Sequence, residues 1–212
     1  MKIRVGKVMK YSVKRLTGRE QIETCEQFVV DNYMWDSCRA PKVYGWMGYL
    51  EGEGLFVKMV CEETNPKRVF KLHTDPVYQD STMEAFLAFP EGEISNNCMY
   101  TNFEINSNGA MLANYGIGWN RQYITKEQYE MTGVHAQIEE DKWYWEVLFP
   151  ESYLKEISDF EAVKAGKPFY CNFYKICESP EDLHFGSYSP IESETPNFHM
   201  PICFAQAVIE EP

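Results

Sequence analysis

The strongest constraint on this chain is a series of short alternating runs cut by turn residues. Lys42–Leu50 and Leu55–Glu62 are separated only by Glu51-Gly52-Glu53-Gly54. Two strand-length runs on so short a glycine-bearing link predict a β-hairpin. Leu55, Val57, Met59 and Cys61 then share one face, as the two-residue period of a strand requires. Further strands are expected over Thr82–Phe89, Tyr100–Asn106, Ala110–Tyr115, Lys142–Phe149, Phe169–Cys177 and Ile202–Ile209, with Ser107-Asn108-Gly109 as a second hairpin turn. Helical signals are few. Thr17 and Glu20 have capping-box spacing, and Ile22, Cys25, Phe28, Val29 and Tyr33 follow at helical intervals. Glu151–Ala165 reads as a short helix closed by Gly166. Thr64–Asp80 and Ser179–Phe198 read as long polar loops, a kind that often carries function. The expected fold is all-β, an antiparallel β-sandwich of immunoglobulin or jelly-roll type with one or two short helices. With no repeat and no linker, residues 1–212 are expected to form one domain.

Charge narrows the partners. Twenty Lys and Arg stand against 32 Asp and Glu, a formal net charge of −12. Binding to nucleic acid needs a positive field that displaces counterions, so nucleic acid is excluded, and anionic membrane with it. Neutral ligands, cations and divalent metals remain. The seven cysteines are odd in number and contain no CxxC, so they read as reduced, mostly buried thiols rather than a disulfide framework. The four histidines have no zinc-ligand spacing with them. Lys7, Lys10, Lys14 and Arg15 interrupt every apolar run near the start, which is unlike a signal peptide. A cytoplasmic location is expected, or a secreted one if a leader has already been removed. No run is long and apolar enough for a membrane helix.

Aromatic residues are 15% of the chain, and alternation divides them. In Tyr100–Asn106, Thr101, Phe103 and Ile105 face one way, while Tyr100, Asn102, Glu104 and Asn106 face the other. Tyr170, Asn172 and Tyr174 oppose Cys171 and Phe173, and Glu84 opposes Met83 and Ala85. Amides, carboxylates and phenols from three strands are the groups that read sugar hydroxyls while rings stack on sugar faces. Arg121 is the nearby candidate for a bidentate donor. A merely solvated outer face would show the same alternation. Trp143 and Trp145 read as core; Trp46 can face a ligand; Trp35 and Trp119 are undecided. Asp75, Asp80 and Glu84 form an acidic cluster. It can be read as a Ca²⁺ site, on Asp75 and Asp80, or as turn caps and salt bridges. Motifs for nucleotide binding, serine hydrolysis and zinc proteolysis are absent. Glu84 and Glu104 would suit a glycosidase pair.

Four blocks resemble carbohydrate-binding module family 9-like domains. They are Asp75-Pro-Val-Tyr-Gln-Asp80-Ser-Thr-Met-Glu84, Tyr100-Thr-Asn-Phe-Glu-Ile-Asn106, Asn172-Phe-Tyr-Lys175, and His184-Phe-Gly-Ser-Tyr-Ser-Pro190 with Asn197-Phe-His-Met-Pro201. The resemblance implies a non-catalytic β-sandwich that binds a mono- or oligosaccharide, often attached to xylanases and other glycoside hydrolases, with two Trp clamping the sugar and Ca²⁺ supporting the fold. It implies Trp46 as one aromatic plate and Glu84, Asn102, Glu104, Arg121 and Asn172 as the polar readers, while the alternation leaves Tyr100 and Tyr174 as further parts of a sugar platform. Tyr188 stands where such domains more often have Trp. His199 lies in a matching block without an assigned role. The alternatives are a glycoside hydrolase using Glu84 and Glu104, and a protein-interaction domain on the same scaffold.

Overall fold

The computed structural model describes residues 9–158 and 165–211. Its strands, in chain order, are β1 (Lys10–Leu16), β2 (Gln27–Val30), β3 (Asn32–Met34), β4 (Lys42–Leu50), β5 (Gly54–Glu62), β6 (Thr82–Ala88) and β7 (Tyr100–Asn106). There follow β8 (Met111–Ile117), β9 (Asn120–Tyr123), β10 (His135–Ile138), β11 (Trp143–Pro150), β12 (Pro168–Cys177), β13 (His184–Ser187) and β14 (Ala205–Ile209). Two α-helices, α1 (Lys126–Thr132) and α2 (Glu151–Ile157), complete the described elements apart from short 3₁₀ turns. The chain is thus mostly β with few short helices.

The strands run β10-β11-β5-β4-β1-β14-β12-β6-β7-β8-β9 across one curled sheet. An all-antiparallel sheet was expected; this one is mixed. The first half of β1 pairs in parallel with β14 (Tyr11 opposite Ala207), and its second half pairs in parallel with β4 (Arg15 opposite Tyr49). All the other pairings are antiparallel. Strand β1 lies in the segment read from sequence only as a lysine-rich terminus, because Lys10, Lys14 and Arg15 mask the buried Tyr11, Val13 and Leu16.

Curling brings two faces together. Phe28 of β2 stacks on Phe173 of β12 with centroids 3.6 Å apart, and Phe103 of β7 stacks on Phe149 of β11 at 4.0 Å. Trp143, Trp145, Met47, Met59, Leu87 and Phe169 fill the same core. Gly45 opposes Phe28, and a Cβ there would lie 2.5 Å from the Phe28 ring, so the bare glycine lets the ring settle into the core. The expected helix beyond Thr17 does not form. A 3₁₀ turn spans Arg19–Thr24, and then Phe28 and Val30 alternate inward along β2. Their burial against both layers outweighs the helical spacing of Ile22, Cys25 and Phe28. Helix α1 was missed although its start is written in sequence: Thr125 and Gln128 form a reciprocal capping box. The second expected helix ends at Ile157, and residues 159–164 of that expectation lie outside the described ones.

The family-like blocks of the sequence partly serve this frame. Lys175 is fully buried; its Nζ donates to Ser81 Oγ at 2.8 Å and lies 2.8 Å from His184 Nε2. Ser81 in turn donates to Glu63, which also accepts Trp143 Nε1 at 3.0 Å and pairs with Arg39. Burial pushes the Lys175 ammonium down to about 8 and the His184 imidazole down to about 2. The chain of bonds ties β6, β11, β12 and β13 at one end of the core.

Replacing Phe28 with Ala removes the closest cross-layer stack and leaves a cavity. A loss of about 3–5 kcal/mol is expected from urea unfolding. Val29→Ala, at a side chain 42% exposed on the other face of β2, serves as the control. Equal effects of the two would contradict the packing described.

Candidate functional site

The outer face of β12, β6, β7 and β8 carries the polar groups. Antiparallel register sets Glu84 opposite Glu104, Phe86 opposite Asn102, and Ala88 opposite Tyr100. Strand β8 adds Leu112, Asn114 and Gly116 opposite Glu104, Asn102 and Tyr100, and β9 sets Arg121 opposite Gly116. Directly opposed residues share a face, so Arg121 lies beside a glycine rather than a side chain. Gly116 has φ 153°, and a Cβ there would lie 2.2 Å from Asn120 O and 2.9 Å from Arg121 Cα. The guanidinium therefore crosses the empty position and rests 4.0 Å over the Tyr100 ring.

Hydrogen bonds lock this arrangement. Arg121 Nη2 donates to Asn102 Oδ1, and Asn102 Nδ2 donates to Glu104 Oε1 at 2.8 Å. The Tyr100 hydroxyl lies 2.8 Å from His199 Nδ1. The His199 ring touches Trp119, whose side chain is 81% exposed at the tip of the β8–β9 hairpin. What is left unmet matters more. Arg121 Nε and Nη1 are buried and without a partner among the described residues. Glu84 is 2% exposed and receives no hydrogen bond from them. Unmet buried donors cost free energy unless something binds them.

The electrostatics follow from burial. Desolvation pushes the Glu84 carboxyl well above its usual range, with Glu104 and Glu178 adding repulsion. Desolvation lifts Glu104 to about 8, against the opposing pull of Arg121 and Asn102. The pair keeps a proton at neutral pH, so it offers both a donor and an acceptor. Burial, then Arg121, pushes His199 down to about 4, which keeps it neutral.

Five of the expected residues converge here: Glu84, Tyr100, Asn102, Glu104 and Arg121. Four do not. Trp46 is buried with Leu16, Ile22, Phe56 and Leu148 on the outside of the other layer, across the core from this face. Its alternation was read correctly, but Leu16, Ile22 and Cys25 cover that face. Tyr188 lies inside the core, edge-on to Tyr11 and against Phe28 and Phe173. Asn172 is satisfied by backbone: its Nδ2 donates to Ser189 O, and its Oδ1 accepts from Phe173 N and Ser189 N. Tyr174 is fully buried, stacked on Phe198 at 4.1 Å, with its hydroxyl donating to the Phe198 carbonyl. Trp119 and His199 are gained. Both sit in irregular segments where no periodicity assigns a face; the only signal for Trp119 was a lone aromatic after Gly116 and Gly118.

The Ca²⁺ reading does not fit the donors present. Asp80 is fully buried, and its two oxygens accept from Val69 N, Phe70 N and Asn106 Nδ2, each at 2.9 Å. Asp75 caps Leu72 N at 2.9 Å. Both carboxylates are spent on folding the 64–80 loop. Among the described residues no group of three or more His, Cys, Asp or Glu is placed to hold a metal.

The Glu104 shift has a pH consequence. Its carboxyl titrates near 8 when folded against 4.5 as a free side chain. A native state that binds the extra proton loses stability as pH rises from about 4.5 to 8. Glu104→Gln is therefore expected to gain stability relative to the wild type across that window and to hold the gain above it. Thermal melts at pH 5, 7 and 9 read this; a difference that is constant with pH would contradict it.

Comparison with known proteins bears on this face. No curated protein matches the chain in sequence. A structure from Bacteroides uniformis ATCC 8492, described as that of a candidate carbohydrate-binding protein, has 25% identity and a TM-score of 0.79, covering 96% of this chain and all of that one. A carbohydrate-binding module of family 9 from Caldicellulosiruptor kristjanssonii, solved with cellotriose, shares the fold at TM-score 0.64 and 12% identity, covering 96% of this chain and 94% of its own. The same module with glucose gives 0.65 and 11%, covering 96% of each chain. The model of carbohydrate-binding family 9 matches residues 12–209, and the chain belongs to that family.

Proposed function

We propose that this protein binds a neutral saccharide, without cleaving it, on the face built from Glu84, Asn102, Glu104, Arg121 and Trp119. One observation carries the reading: Arg121, bonded through Asn102 to Glu104, holds two buried donors with no partner among the described residues, and the acceptor-bearing Glu84 carboxyl, which receives no hydrogen bond from them, lies on the same sheet face. Sugar hydroxyls both donate and accept, so a hydroxyl pair meets both needs at once. Trp119 offers an exposed ring for the C–H face of the sugar. Family membership supports the same reading, and so does the fold shared with a module seen with glucose and cellotriose. The cross-layer ring stacks support the description of the fold as a β-sandwich. A binding role beside glycan-degrading enzymes, xylanases among them, is the setting this reading implies.

A hydrolase is the weaker reading. Glycosidases place two carboxyls on opposite sides of the scissile bond. Glu84 and Glu104 are cross-strand neighbours on one face, so both approach a ring from the same side.

Titration calorimetry with glucose, xylose, mannose and galactose is the test. Hydrogen bonds to a charged group contribute about 1.5–3 kcal/mol. Arg121→Ala is therefore expected to weaken binding more than about tenfold, and Trp119→Ala several-fold. A failure of every sugar to bind, or full affinity in Arg121→Ala, would overturn the assignment.

A further inference from the structure

Beyond the pocket the same sheet face continues outward to the edge. Asn102 opposes Asn114 on β8, and Asn114 opposes Tyr123 on β9. The three side chains form one row on the outer face. Tyr123 also lies two residues beyond Arg121 on β9, so the two share that face. The opposite face is fixed independently: Tyr115 and Gln122, the intervening pair, hydrogen-bond to each other on the other side.

This row is free to bind. The Asn114 side chain is half-buried and makes no hydrogen bond within the described residues, although its backbone carbonyl accepts from Thr101. The Tyr123 ring is 59% exposed. Two strand spacings, about 10 Å, separate Asn102 from Tyr123, a span that two linked pyranose rings cover. No lysine or arginine stands in the row, so an anionic chain finds no partner of its own there. An amide beside an exposed phenol ring suits hydroxyls and a sugar face.

We infer that Asn114 and Tyr123 form a second sugar subsite, which holds the unit linked to the one bound at Arg121. The ligand is then a neutral oligosaccharide that leaves the pocket across β8 and β9 toward the sheet edge. Asn114 reads a hydroxyl of the second unit, and Tyr123 supports its ring. This inference rests on the sugar reading of the pocket.

Chain-length dependence tests it. Glucose, xylose, mannose and galactose are each titrated beside their β-1,4-linked trisaccharides. The wild type is expected to bind the trisaccharide of its preferred sugar about tenfold more tightly than the monosaccharide. Asn114→Ala, at a half-buried side chain, and Tyr123→Ala, at an exposed one, are expected to leave monosaccharide affinity within about twofold and to abolish the gain from chain length. Arg121→Ala loses both. Monosaccharide binding without a chain-length gain, or a gain that survives both variants, overturns the subsite and leaves the pocket standing. Absence of all sugar binding overturns the pocket and the subsite together. A change in self-association on Tyr123→Ala, with the chain-length gain intact, assigns the ring to a second copy of this chain and overturns the subsite as well.

Discussion

Strand β1 belongs to both layers, and the sandwich depends on that. Lys10–Val13 run parallel to β14, and Lys14–Leu16 run parallel to β4. A strand of seven residues thus turns the sheet from one layer into the other. Tyr11 secures the turn from inside: it is 2% exposed, and its hydroxyl accepts from Met47 N at 2.9 Å and donates to the Glu26 carbonyl. A buried phenol without partners would be costly; here its partners are backbone groups of β4 and of the segment entering β2. The ring also meets Phe28, Phe173 and Tyr188 edge-on. Burial of these rings between the layers is what closes the core.

The outer face of the β12-β6-β7-β8 layer is half closed. The segment from Ser187 to Phe204 lays Phe198 and Phe204 over Phe86, Tyr100 and Tyr174, which makes a second apolar cluster outside the main core. The cover stops short of Glu84, Asn102 and Glu104, where His199, Arg121 and Trp119 take over. Polar side chains are therefore withdrawn from bulk water but not fully paired. A low-dielectric site with fixed donors is the condition in which hydroxyl recognition has most effect. The structural devices around it are spent in full: Asp80 on the 64–80 loop, Asn172 on Ser189, and Lys175 on Ser81 and His184.

Strand positions were legible where alternation was uninterrupted. β4 and β7 match the expected Lys42–Leu50 and Tyr100–Asn106 at both ends. The division of β7 into Phe103 inside and Asn102 and Glu104 outside also holds, because period 2 fixes faces without knowledge of partners. Short strands such as β2, β3, β9 and β13 carry too few residues for a period to show. The site was half legible for the same reason. Alternation assigns a face but not what lies above it, so Trp46 and Tyr174 were placed on the correct faces of their strands and are nonetheless covered. Tyr188 lies just beyond β13, and only the packing of three other rings shows it to be core. The placement of Arg121 needed the register of β9 against Gly116, a tertiary fact.

Arg121 sits on the outermost strand of its layer. β9 has four residues and pairs only with β8. Edge strands held on one side exchange their amide protons through local opening, well before the central strands do. Each such opening carries the Arg121 guanidinium away from Asn102 and Tyr100. A ligand gripped by that guanidinium stabilises the closed form and slows the opening. An edge strand of the sheet thus becomes coupled to occupancy, and fraying of a hairpin bears on how the site lets go of what it holds.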